Sequence, residues 1–349
     1  MRIHYGLALA LVLLLFASAS GQTRPFDPPP IVHGGQVVPL YPPGSPFLNA
    51  ARIGEAEQNN MAKGVPERIQ SIVNIHNPSI EFHPADPGIN TGVAMIVIAG
   101  GGHNTLNVGT EGSDVVHYLF NYGVNSIILR NRLRRDGYNA QTDAVYDAQQ
   151  AIRLVRSRAA EWGIDPKKIG VIGFSAGAEL AAPAAVFYEQ FEKTNSGAGD
   201  PLAGVSARPD FAILIYPGPT PFARDAATAV PKNAPPTFIA TAGSGDASHA
   251  VWAMEYFSAM LAARIPNIEM HVYGNGVHAN GLKHRDGTPF GTWQDRFVDW
   301  FRDLGFLAKP GVETKAAKDS AAHVVAPPPP ARGSGRGGRG GRGATPPAP

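Results

Sequence analysis

A strand, a turn of almost no length and a helix are written into residues 165–182. Lys168-Ile169-Gly170-Val171-Ile172 is an apolar, β-branched run bounded by Asp165-Pro166, and Ala178-Glu179-Leu180-Ala181-Ala182 is rich in helix formers. Between them stands Gly173-Phe174-Ser175-Ala176-Gly177. A G-x-S-x-G in that setting predicts a turn so tight that small residues must flank the serine, with its Oγ exposed above a sheet. Without those flanks the motif carries little, because Gly and Ser are common in loops. With them it fixes a buried strand, a sharp corner and a helix in that order.

The rest of the chain repeats the alternation. Short apolar segments predict strands at Val93–Ala99, Val124–Leu129, Ile169–Phe174, Phe211–Ile215, Thr237–Thr241 and Ile268–Val272. Amphipathic or helix-forming segments predict helices at Ser113–Tyr122, Asp143–Trp162, Ala176–Glu189, His249–Ala263 and Trp293–Asp303. Strands and helices in alternation predict an α/β fold, a mostly parallel central sheet with helices on both faces. Ahead of it, Ile69 to Phe82 alternates around Ile72, Val73, Ile75 and Ile80, broken by Asn77-Pro78, and suggests a leading hairpin.

The two ends differ from this middle. Arg2, the apolar run Leu7 to Phe16 and the small residues Ala17-Ser18-Ala19 read as a secretory signal peptide over residues 1–21, cleaved between Ala19 and Gln22. An uncleaved anchor is the alternative, but the run is shorter than the ~20 residues that span a bilayer. Residues 22–68, with Pro28-Pro29-Pro30 and Tyr41-Pro42-Pro43-Gly44, read as an extended Pro-rich leader, and 69–308 as the catalytic domain. Residues 309–349 hold four consecutive prolines from Pro327 and an Arg-Gly tract from Arg332 to Gly343, and are expected to be disordered. Such tracts occur in single-strand nucleic-acid binders. This one lacks aromatics to stack on bases and follows an export signal, so nucleic acid is not an expected partner. The net charge of +2 gives no global field to attract one either. The count of 0 cysteines excludes disulfides, a thiol nucleophile and Cys-ligated metal together. Export without cysteine fits a bacterial periplasm or exterior, and stable membrane insertion is not expected once the signal is cleaved.

A serine hydroxyl needs a base to take its proton. His278 is the candidate, in the loop Tyr273-Gly274-Asn275-Gly276-Val277-His278 that follows the strand at Ile268–Val272. His271, within that strand, is a weaker candidate, and His249 and His284 are rivals. The acid should follow the strand Thr237–Thr241, where Gly243-Ser244-Gly245-Asp246 does so. Asp246 would hold the imidazole tautomer and stabilise the imidazolium; alternatively it is the N-cap of the next helix. After the strand Val93–Ala99, Gly100-Gly101-Gly102-His103-Asn104 offers backbone N–H groups that, with the N–H of Ala176, would hold an oxyanion. A phosphate-binding loop is poorly supported, since neither G-x-x-x-x-G-K-[ST] nor a G-x-G-x-x-G entering a helix is present. No H-E-x-x-H pairing points to a metal, and no cofactor is expected. Glu179, one turn after Ser175, either faces the site or is a solvated or capping residue, the latter being preferred, and Asp143 and Asp147 read as charges favourably placed near a helix start.

Together, strand–GFSAG–helix, the AGGGH loop from Ala99 to His103, and the late Asp and His resemble the α/β-hydrolase superfamily. Within it the chain resembles secreted bacterial acetylxylan-esterase-like carbohydrate esterases, relatives of the feruloyl-esterase and hormone-sensitive-lipase groups. Asp147 to Arg156, Trp162-Gly163-Ile164-Asp165-Pro166 and His271-Val272-Tyr273 carry the same likeness, which covers about Val93 to Leu307. The resemblance implies Ser175 as nucleophile, Asp246 as acid, His278 as base, Gly101, Gly102 and Ala176 as oxyanion donors, and His103 beside the substrate. Two features depart from the pattern. Ala99 stands where the lipase-like group has a histidine, and the loop at Asp246 lacks the usual Asp-x-x-Val-Pro. The expected activity is hydrolysis of small acyl esters, deacetylation of xylan-type carbohydrate above all. A non-catalytic binder of carbohydrate or envelope polymer and a serine peptidase of the same fold are the alternatives.

Overall fold

The structure, a computed structural model, describes residues 24–195, 200–278, 281–282 and 287–326. The signal-peptide reading and the Arg-Gly tract lie outside these residues. The strands are β1 (Gln36–Pro39), β2 (Gln58–Met61), β3 (Ile69–Val73), β4 (Ser79–His83), β5 (Ala94–Ile98), β6 (Asn125–Arg130), β7 (Ile169–Phe174), β8 (Ala212–Ile215), β9 (Thr237–Ser244) and β10 (Glu269–Asn275). The helices are α1 (Asp114–Phe120), α2 (Val145–Ser157), α3 (Ala178–Val186), α4 (Tyr188–Thr194), α5 (Pro221–Arg224), α6 (Ala247–Ala262), α7 (Trp293–Asp303) and α8 (Lys315–Val325). Eight strands form one sheet in the order β1-β4-β6-β5-β7-β8-β9-β10, and β2 pairs with β3 separately. From β6 through β10 every pairing is parallel, while β1 and β4 add an antiparallel edge.

Successive residues of β5 show why both faces are covered. Ala94, Ile96 and Ile98 pack with Ala148 and Ile152 of α2, Leu180 of α3 and Met260 of α6. Met95 and Val97, pointing the other way, pack with Val115 and Leu119 of α1 and Phe297 and Phe301 of α7. All five residues of β5 are buried, so the strand reads as a continuous apolar run. The parallel connections place the C-terminal ends of β5, β7, β9 and β10 along one rim. Loops at that rim are where an open α/β sheet presents its site. Among the described residues, no helix is long and apolar enough to cross a membrane.

Three sequence expectations are corrected. The segment Ile69–Phe82 is not a hairpin: β3 pairs with β2, whereas β4 enters the main sheet between β1 and β6. Both edges of β4 are taken, one by β1 and the other by β6, which leaves none for β3. The leader is part of the fold. It donates β1, and its backbone feeds a buried ionic cluster in which Glu81 accepts from the N–H of Ile31 at 2.6 Å and from Arg130 at 2.9 Å. Tyr41 donates to Asp147 at 3.0 Å, and Arg132 donates to the Phe47 carbonyl at 2.7 Å. Asp147 does stand in the first turn of α2, as the sequence suggests. It is fully buried and held by Arg132 through Nε at 3.0 Å and Nη2 at 2.8 Å. Finally, the segment after Lys309 begins with helix α8. Thr314 caps it by accepting from the Ala317 N–H at 3.0 Å, and Ala316 is buried in the α7 face of the core.

Candidate active site

The elbow is built as its glycines require. Ser175 sits at φ 52°, a left-handed conformation that a non-glycine residue adopts only under strain. A Cβ on Gly173 would lie 2.5 Å from the Gly177 carbonyl oxygen, and one on Gly177 would lie 2.0 Å from that of Ile98. Neither position has room for a side chain, so the corner can be this tight only with glycine at both.

Three rim loops converge on Ser175. Its Oγ lies 2.8 Å from Nε2 of His278, in the loop after β10. Nδ1 of the same ring lies 2.9 Å from Oδ2 of Asp246, after β9. With Nδ1–H donating to the carboxylate, Nε2 is left as the acceptor facing the serine hydroxyl. Asp246 occupies the N-cap position of α6, yet its side chain makes no capping bond. Its second oxygen takes another imidazole instead: Nδ1 of His249 stands 2.5 Å from Oδ1. The rings of His249 and His278 stack with centroids 3.9 Å apart and planes 25° apart. Burial first, then the neighbouring His278, pushes the pKa of His249 down against the pull of Asp246, so it serves as a neutral donor to the carboxylate. Of the rival histidines, His271 lies elsewhere and bonds Glu269 at 2.7 Å, and His284 is outside the described residues.

Asp246, His249 and His278 each bring one potential ligand atom within 4.8 Å of the others. Each oxygen of the carboxylate already has an imidazole partner.

After β5 the chain runs through Gly101 at φ 130°, Gly102 at φ 62° and His103 at φ 60°. A Cβ on Gly101 would collide with the Thr105 carbonyl oxygen at 2.2 Å. Among the described residues, no acceptor takes the N–H of Gly101 or Gly102. The loop is anchored from below by Glu111, a carboxylate only 1% exposed that accepts from the Gly100 N–H at 2.7 Å and the Tyr216 hydroxyl at 2.6 Å. Tyr216 Oη in turn accepts from the Gly281 N–H at 3.0 Å, and its ring meets that of His278 edge-on at 5.0 Å. Burial raises the pKa of Glu111 despite those donors. Sequence reasoning missed both residues. Tyr216 offered one clue, its place just past the end of β8 on the site rim; Glu111 offered none, because its partners are distant in sequence.

His103 is buried, and its Nε2 lies 3.4 Å from Oε2 of Glu179 without forming an aligned hydrogen bond. Glu179 is not a freely solvated residue: its side chain is 13% exposed and pairs with Arg224 at 2.7 Å. These residues border a cleft next to the glycine loop.

Residues 83–210 match the family model described as BD-FAE. The chain is 29% identical over 136 residues to an acetylxylan esterase of Xylanibacter ruminicola, covering 39% of this chain and 24% of that protein. It thus spans about a quarter of that curated relative's length. An acetyl ester-xyloside bifunctional hydrolase from Caldicellulosiruptor lactoaceticus superposes with TM-score 0.62 at 25% identity, covering 78% of this chain and 97% of the other. An esterase from Thermogutta terrifontis superposes with TM-score 0.56 at 21% identity, covering 67% and 92%, a likeness of fold.

Proposed function

From the α/β-hydrolase fold that this chain shares with those esterases, we propose that it is a serine carboxylester hydrolase that removes acetyl groups from xylan-type carbohydrate. The observation that carries the reading is the continuous hydrogen-bonded run Ser175–His278–Asp246 at 2.8 and 2.9 Å, set beside the unengaged N–H groups of Gly101 and Gly102. In this mechanism His278 Nε2 takes the proton as Ser175 Oγ attacks the ester carbonyl. The N–H groups of Gly101, Gly102 and Ala176 hold the oxyanion that develops. His278 returns the proton to the departing sugar hydroxyl, leaving acetyl-Ser175. Water, deprotonated by the same imidazole, then releases acetate. Asp246 holds the ring in the accepting tautomer and balances its charge at each transfer. The carbohydrate class follows from the acetylxylan esterase relative and the xyloside hydrolase neighbour. Residues 1–21 would direct export to where such polymers lie.

Purified protein on p-nitrophenyl acetate and on acetylated xylo-oligosaccharide tests the reading. Ser175→Ala should lower kcat by about 10⁴-fold or more with folding intact. Turnover near the wild-type value in that variant would exclude the serine mechanism, and an inactive wild type would favour a binding role.

A further inference from the structure

The cleft beside the glycine loop encloses about 400 Å³ and is bordered by His103, Arg134, Asn139, Gln141, Glu179 and Arg224. That size falls within the ~300–1,000 Å³ of small-molecule sites, and the lining mixes apolar surface with charged groups. Two connections tie the cleft to the reacting serine. Arg134 donates to the Gly102 carbonyl at 3.1 Å, one peptide from the N–H groups assigned to the oxyanion. Glu179 lies one turn after Ser175 on the helix that the elbow starts. Arg134 and Glu179 thus join the cleft to the loop and the helix that flank Ser175.

His103 is buried at the edge of the cleft, and its Nε2 faces Oε2 of Glu179 at 3.4 Å. Charge is unbalanced. Glu179 is matched by Arg224, Asp136 by Arg135, and Asp143 lies 3.7 Å from Arg132. Among the described residues Arg134 pairs with no carboxylate, and its guanidinium has only the Gly102 carbonyl. A guanidinium held by one N–H on a fixed carbonyl keeps donors free for a planar, two-oxygen acceptor.

We propose that this cleft is a subsite for an acidic sugar, with Arg134 receiving the carboxylate of a uronic acid carried by the acetylated oligosaccharide. Glu179 and Arg224 meet the ring hydroxyls of that unit. The inference rests on the esterase reading and narrows its substrate class from acetylated saccharide to acetylated acidic saccharide. Because Arg134 is exposed, the preference it confers is modest and weakens with salt.

The test compares kcat/KM on two acetylated xylo-oligosaccharides of equal length, one neutral and one carrying a single uronic acid. The ratio of acidic to neutral substrate should be about 5 at low ionic strength and approach 1 at ~0.5 M salt. Arg134→Gln should bring the ratio to about 1 at low salt, and Arg134→Lys should retain part of it. Using a ratio removes any general effect of the substitution on the glycine loop. A wild-type ratio near 1, or a ratio unchanged by Arg134→Gln, overturns the subsite. The same preparations are assayed on p-nitrophenyl acetate. Hydrolysis there with no acidic preference rejects the subsite alone, whereas no hydrolysis of any ester rejects the esterase reading beneath it.

Discussion

Glu111 is the residue whose removal should tell most about how the rim is held. Its side chain is essentially inaccessible and accepts two hydrogen bonds, from the Gly100 N–H and the Tyr216 hydroxyl. Glu111→Leu fills similar space but leaves both donors buried without an acceptor, at ~1–3 kcal/mol each. Burial already disfavours the carboxylate, as its raised pKa records, so removing the charge returns part of that cost. The net loss should fall at about 2–4 kcal/mol, a large share of the ~5–15 kcal/mol typical of a folded domain. Glu111→Gln keeps one acceptor and turns an NH₂ toward the other donor, so it should lose about half as much. Urea unfolding measures both as a shift in midpoint at constant m. Kinetics on p-nitrophenyl acetate should show kcat lowered ~10- to 100-fold in the leucine variant with KM little changed, because the loop carrying Gly101 and Gly102 loses its anchor. A leucine variant with wild-type midpoint and wild-type kcat would refute the argument that Glu111 holds the loop.

Three further outcomes are expected. Asp246→Asn offers one acceptor where two imidazoles now donate, so kcat should fall by ~10³–10⁴ with substrate binding mostly retained, read from the separate kcat and KM; a nearly active variant would reduce Asp246 to its N-cap position. Arg132→Leu strands the wholly buried Asp147 and releases the Phe47 carbonyl of the N-terminal segment, which should cost ~3–5 kcal/mol in urea unfolding. Burial works against ionisation of Glu269, but hydrogen bonds from Arg296 and His271 outweigh it and hold its carboxyl below the usual range. The stability from that depressed pKa is present above the ordinary glutamate pKa of ~4.3 and lost as pH falls through the lower folded-state value. Between pH 5 and 3 the Tm of the wild type should therefore drop further than that of Glu269→Gln.

What the sequence disclosed is what local geometry dictates. The elbow glycines were legible because a Cβ at either would strike backbone, and the strand–helix alternation because each element buries apolar residues at its own period. The leader and α8 were not legible, since composition marked both as poor in core residues. What orders them is long-range: the Ile31 N–H on Glu81, the Tyr41 hydroxyl on Asp147, and Ala316 under the α7 aromatics. No local pattern records a partner 50 or 106 residues away. The same holds for Glu111 and Tyr216, separated by 105 residues yet joined at 2.6 Å beneath the site.

Asp246 stands at a helix start and yet turns its side chain toward the rim. An aspartate between a strand and a helix invites the capping reading, and its backbone does hold the N-cap position of α6. A capping bond would turn the carboxylate onto the helix's own N–H groups and away from the rim. Here the side chain makes no such bond and gives one oxygen to each of two stacked imidazoles. The start of α6 still matters, because the positive end of a helix favours an anion beside it without any direct bond. His249, three residues on along that helix, supplies the hydrogen bond that a cap would have made, so the carboxylate stays anchored while facing His278. The helix start therefore fixes where the carboxylate sits, and the second histidine fixes which way it points.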